Sequence, residues 1–129
     1  MKILLLLSMF LFAEEAVKEE PKIKELDVKS FKIAKRSGIT VVEYWASWNV
    51  LNKITMLDSI EIEDAKIYRV NIDTNAEITA KQKIVVVPTI VIYDDGIEVK
   101  RFQGDLTFTL KIRKKDIQSE VDEILMSKF

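Results

Sequence analysis

The chain has no cysteine and no histidine. Thiol–disulfide exchange needs a thiolate as nucleophile, so these side chains cannot supply it. Ser-His and Cys-His nucleophilic pairs are excluded too. Zinc, copper and iron lose their preferred ligands, and no cofactor is expected. Proline and glycine are scarce, at two and three residues, and no linker or internal repeat stands out. A basic block is lacking as well. Lys and Arg number 20 against 21 Asp and Glu, well mixed along the chain, which argues against a nucleic-acid partner.

What is present suits one globular domain. Of 129 residues, 48% are apolar and 32% charged, enough for a single core and too apolar for a disordered chain. Met1-Lys2 opens an apolar run from Ile3 to Ala13, broken by Ser8. One positive charge before such a run reads as a signal peptide over residues 1–13, and places the protein in the periplasm or outside the cell. The run is shorter than the about 20 residues of a membrane-spanning helix, so no stable span is expected. A buried N-terminal helix is the competing reading. Residues 14–22, with Glu, Lys and Pro21, read as an exposed leader before a domain over 23–129.

Periodicity gives the elements of that domain. Ile23 to Leu26 suits a short strand. Asp27 is a good N-cap for a helix over 28–37, with Gly38 as its stop. Ile39 to Ala46 is an almost unbroken β-branched and aromatic run, the pattern of a central strand covered on both faces. A helix over 50–60, capped by Asn49, is expected next. Strands are expected over 66–72 and 84–93, with a helix over 75–82 between them. Asp94-Asp95-Gly96 is a hairpin turn leading to a strand over 97–102. Residues 106–112 alternate apolar and polar, which fits a strand or an extended approach. Ile117, Val121, Ile124 and Leu125 define a C-terminal amphipathic helix. The order predicts an α/β fold, a central mixed sheet flanked by helices.

Three segments resemble the thioredoxin family. Val42-Glu43-Tyr44-Trp45-Ala46-Ser47-Trp48 resembles the strand leading into the redox site. Arg69-Val70-Asn71-Ile72-Asp73 resembles a second family strand. Val87-Pro88-Thr89, followed by the Gly96 turn, resembles the cis-proline and its hairpin. Together they cover roughly residues 23–129. The resemblance implies a thioredoxin-like fold and a cis Val87–Pro88 bond. It also implies that the family's Cys-x-x-Cys positions hold Asn49 and Asn52, with Val50-Leu51 in place of Gly-Pro. The following helix lacks the family's kinking proline. This chain therefore resembles a redox-inactive member.

Several residues become candidates. Asn49 and Asn52 either hydrogen-bond a ligand where the dithiol would sit, or merely cap and begin a helix. Glu43 matches the family's buried acid and Arg69 a nearby lysine; without sulfur to serve, they read as a buried structural pair beneath residues 49–52. Trp45, Trp48, Val50, Leu51, Val86, Val87 and Pro88 form a candidate partner-binding face, where an extended peptide could add as a strand. The competing reading is a relic surface. Val85-Val86-Val87 is otherwise expected in the core. Lys111, Arg113, Lys114 and Lys115, and the acids Asp58, Glu61, Glu63 and Asp64, read as solvated. The expected function is non-covalent binding of a protein or peptide, without enzyme activity. Two alternatives stay open: an oxidoreductase component that works with a cysteine-bearing partner, and a structural subunit.

Overall fold

A computed structural model describes residues 23–129. Its elements run β1 (Lys24–Glu25), α1 (Val28–Lys35), β2 (Ile39–Trp45), two 3-10 turns (Ser47–Asn52 and Thr55–Ser59), β3 (Ala65–Asn71), α2 (Ala76–Lys81), β4 (Thr89–Asp94), β5 (Ile97–Gln103) and α3 (Lys114–Met126). The expected signal peptide and leader lie outside the described residues.

The strands form one mixed sheet in the order β1-β3-β2-β4-β5. β2 lies at its centre, parallel to β3 and antiparallel to β4. Its side chains alternate between the two faces, and both faces are covered. One face carries Val41, Ile90 and Ile92 under Leu57 from the second 3-10 turn and Ile117 and Val121 from α3. The other carries Val42, Tyr44, Val91 and Tyr93 against Phe31 of α1 and Ile78 of α2. This explains the unbroken apolar run of β2: neither set of side chains meets water. On the second face the Tyr44 and Tyr93 hydroxyls lie 2.7 Å apart, and Tyr93 donates to Gln82 Oε1. Burial pushes both hydroxyls up, Tyr93 to about 12.

Local chemistry sets several boundaries. Asp27 caps α1: its carboxylate accepts from the Ser30 amide, and the Ser30 hydroxyl accepts from the Asp27 amide. Gly38 reverses the chain at φ +79°. Its amide donates to Asp95 Oδ1 at 2.7 Å, tying the end of α1 to the β4–β5 turn. That turn has positive φ at Asp95 and Gly96, as a tight hairpin requires.

Three expected elements differ. The helix over 50–60 is two 3-10 turns broken around Ile54. Asn49 is not its cap; at φ −123°, ψ 29° it is a kink inside the first turn. The Ile54 amide is taken by Glu43 and so cannot join an α-helical ladder, and its carbonyl is shared between Arg69 and the Leu57 amide in a 3-10 bond. The strand over 84–93 begins only at Thr89. Val85 is 80% exposed and Val86 half-buried, so of that run only Val87 is core. Residues 106–112 form no strand. The Asp105 carboxylate accepts from the Thr107 amide and from both threonine hydroxyls, and this local turn overrides the alternating pattern.

Candidate partner-binding face

The end of β2 delivers the site. Glu43 points into the Leu57 face of the sheet and is completely buried. Arg69 lies beside it on β3, in register, and is 4% exposed. Arg69 Nε donates to Glu43 Oε1 at 2.8 Å, and the Ile54 amide donates to Glu43 Oε2 at 2.8 Å. Arg69 Nη2 donates to the Ile54 carbonyl at 2.7 Å, and Nη1 to Asp58 Oδ1 at 2.7 Å. The pair thus grips Ile54 by both main-chain groups and reaches Asp58 in the second 3-10 turn. Burial pushes the Glu43 carboxyl up, against the pull of the Ile54 amide and Arg69. Burial also opposes the Arg69 charge, but Asp58 and Glu43 more than offset it and hold the guanidinium protonated. A proton carrier would need a partner to exchange with; here the carboxylate oxygens are occupied by structural donors.

Above this pair sit Asn49 and Asn52. Asn52 Nδ2 donates to Asn49 Oδ1 at 2.8 Å. Asn49 Nδ2 donates to the Phe108 carbonyl at 3.0 Å and, more weakly, to the Val87 carbonyl at 3.5 Å. The two amides therefore bridge each other and staple three segments together.

The seven residues expected on the binding face divide. Trp48, Val50 and Leu51 are exposed, Trp48 by 60% and Leu51 by 95%. Val87 and Pro88 are buried and present no side chain to a partner. Trp45 is half-buried, its Nε1 donating to Glu25 and Lys53 lying 4.1 Å over its ring. The Val86 carbonyl accepts from Thr89 Oγ1 at 2.6 Å. Among the described residues, the Val86 and Val87 amides have no acceptor. The Val87–Pro88 bond is cis.

Sequence reasoning missed three participants. Phe108 packs edge-on against Trp48, ring centroids 5.2 Å apart and planes at 88°. It holds φ +59°, a left-handed conformation that costs a bulky residue on the order of 1–3 kcal/mol. Leu106, in the same turn, is 95% exposed. The signal was available: an aspartate followed by threonines two and four residues on is turn chemistry. Asp58, read as solvated, is exposed and is also the outer partner of Arg69.

A family model described as Thioredoxin matches residues 22–118. The chain belongs to the thioredoxin family. The thioredoxin of Mycoplasma genitalium is 35% identical over 68 residues, spanning 50% of this chain and 67% of that protein. The thioredoxin of Mycobacterium tuberculosis is 32% identical over 69 residues, spanning 50% of this chain and 60% of that one. The crystal structure of thioredoxin from Trypanosoma brucei brucei superimposes with a TM-score of 0.63 at 18% identity, covering 85% of this chain and 99% of that one. At that identity the likeness speaks to the fold. This is a thioredoxin-family chain without cysteine, and where the resemblance places the two sulfurs it has one amide hydrogen-bonded to another.

Proposed function

We propose that this is an exported thioredoxin-family protein without dithiol chemistry that binds an apolar stretch of a partner protein non-covalently around Trp48. The observation that carries this reading is the exposure of Trp48, Val50, Leu51, Leu106 and Phe108 on two abutting turns. Apolar side chains clustered in this way mark interaction sites, and tryptophan is enriched among residues that dominate binding. The basic-then-apolar start of the chain supports export. Absence of a thiolate removes the covalent step, leaving recognition.

An array of short peptides, probed with wild type and with Trp48→Ala, tests the reading. Peptides rich in apolar residues retain the wild type and lose the variant. Equal retention of the two proteins on every peptide sinks it. In a parallel insulin assay with dithiothreitol, the protein adds nothing to the rate of the reagent alone; any excess rate overturns the claim that dithiol chemistry is gone.

A further inference from the structure

Phe108 is the residue that binding around Trp48 does not by itself explain. Among the described residues, four non-glycine residues have positive φ: Asp64, Lys83, Asp95 and Phe108. Aspartate tolerates this region in turns, and Lys83 follows the end of α2, where its amide reaches the Ala80 carbonyl at 3.1 Å. Phe108 is an aromatic residue held there by three contacts. Its amide donates to the Asp105 carbonyl at 2.9 Å, its carbonyl accepts from Asn49, and its ring meets Trp48. The ring does not fill the core; the residue is 41% exposed. Through the shared Asn49 amide, the Phe108 carbonyl is held near the Val87 carbonyl.

We infer that Phe108 is a resident stand-in for a side chain of the partner. The segment that docks is extended and carries an aromatic residue, which takes the place of Phe108 against Trp48. This rests on the binding reading above, and gives it a ligand class and a gate. The turn can move as a unit. Asp105 and Thr109 close it by an amide-to-carbonyl bond of 2.9 Å, and it is paired with no strand. Gly104 anchors its base: the amide donates to the Pro88 carbonyl at 2.8 Å, and a Cβ there would sit 2.9 Å from the Thr109 carbonyl and 3.0 Å from that of Pro88, so no larger residue fits the closed form.

The test is fluorescence anisotropy with a labelled Ser/Thr-rich peptide carrying one central Phe, and its twin carrying Ala. Phe108→Gly removes the competing ring and relieves the left-handed backbone. It is expected to bind the Phe peptide about tenfold tighter than wild type, the ~1.4 kcal/mol scale of one aromatic contact. The Ala twin gains nothing, and adding Trp48→Ala to Phe108→Gly removes the gain. Phe108→Leu keeps apolar cover and gives a smaller gain in the same direction; it carries the test if the glycine variant does not fold. Binding by wild type that is unchanged or weakened in both variants overturns the gate and leaves the binding reading standing. An equal gain for both peptides overturns the aromatic class. No binding by wild type or either variant overturns the reading beneath.

Discussion

The two sides of residues 49–54 are built on opposite rules. Below them, Glu43 and Arg69 are buried, charged and fully engaged, each with a side-chain partner and a main-chain group of Ile54. Above them, Trp48, Leu51, Leu106 and Phe108 are apolar and exposed. The inner side resembles the acid of a redox site and does the work of a foundation. The outer side holds no sulfur and presents an apolar surface, to which the proposed function assigns recognition. On that proposal stability and recognition lie on opposite sides of one layer of chain, and substitutions on either side should separate them.

The largest effect is expected from Arg69→Met. It strands a buried carboxylate and removes one of the two donors to the Ile54 carbonyl, and should cost about 3–5 kcal/mol in urea unfolding. Adding Glu43→Leu should recover much of that loss, since the buried charge goes with its partner. A loss under about 1 kcal/mol for the single change is what an exposed pair would give, and would contradict the foundation role.

Asn49→Ala comes next. It removes the bond to Phe108 and leaves Asn52 Nδ2 without its acceptor in a half-buried place, for about 1–2 kcal/mol. If the variant unfolds with the wild-type midpoint, the amide bridge holds nothing.

A gentler effect is the pH dependence of stability. Burial raises the Glu43 pKa in the folded chain, so between its unfolded and folded values the folded state binds the extra proton. The Glu43 contribution is therefore full below the ordinary glutamate range and declines as pH rises through the folded pKa. The decline should be absent in Glu43→Gln and deeper in Arg69→Met, read from chemical unfolding at a series of pH values. The same slope in wild type and Glu43→Gln would assign it to other groups.

The smallest effect on stability belongs to Trp48→Ala. The ring is mostly in water and makes one aromatic contact, so the cost should stay below about 1 kcal/mol while peptide retention falls. A large loss of stability would move Trp48 to the inner side of the comparison.

Much of the inner side was legible. Parity along Ile39–Trp45 put Glu43 on one face, and two β-rich runs at family spacing put Arg69 beside it. The core followed from periodicity, as in Ile117, Val121 and Ile124 of α3. Most of what stayed hidden was set by contacts between distant residues. The apolar spacing of Ile54 and Leu57 is helical, but the main chain of Ile54 is taken by side chains from β2 and β3. Residues 106–112 alternate like a strand, yet Asp105 curls them locally and Asn49 fastens the result. The Asp105 turn is local and readable, whereas the bonds that fix Ile54 and the one from Asn49 join residues 11 to 59 positions apart.

Asn49 and Asn52 have a consequence in electrochemical terms. A dithiol and its disulfide form a two-electron couple, so the shape of a site built on them follows the ambient potential. A bond from one carboxamide to another has no midpoint potential. It yields to heat and to denaturant, not to electrons. The surface above it keeps one form in a reducing and in an oxidising medium alike, and whatever docks there meets the same geometry on either side of a redox gradient.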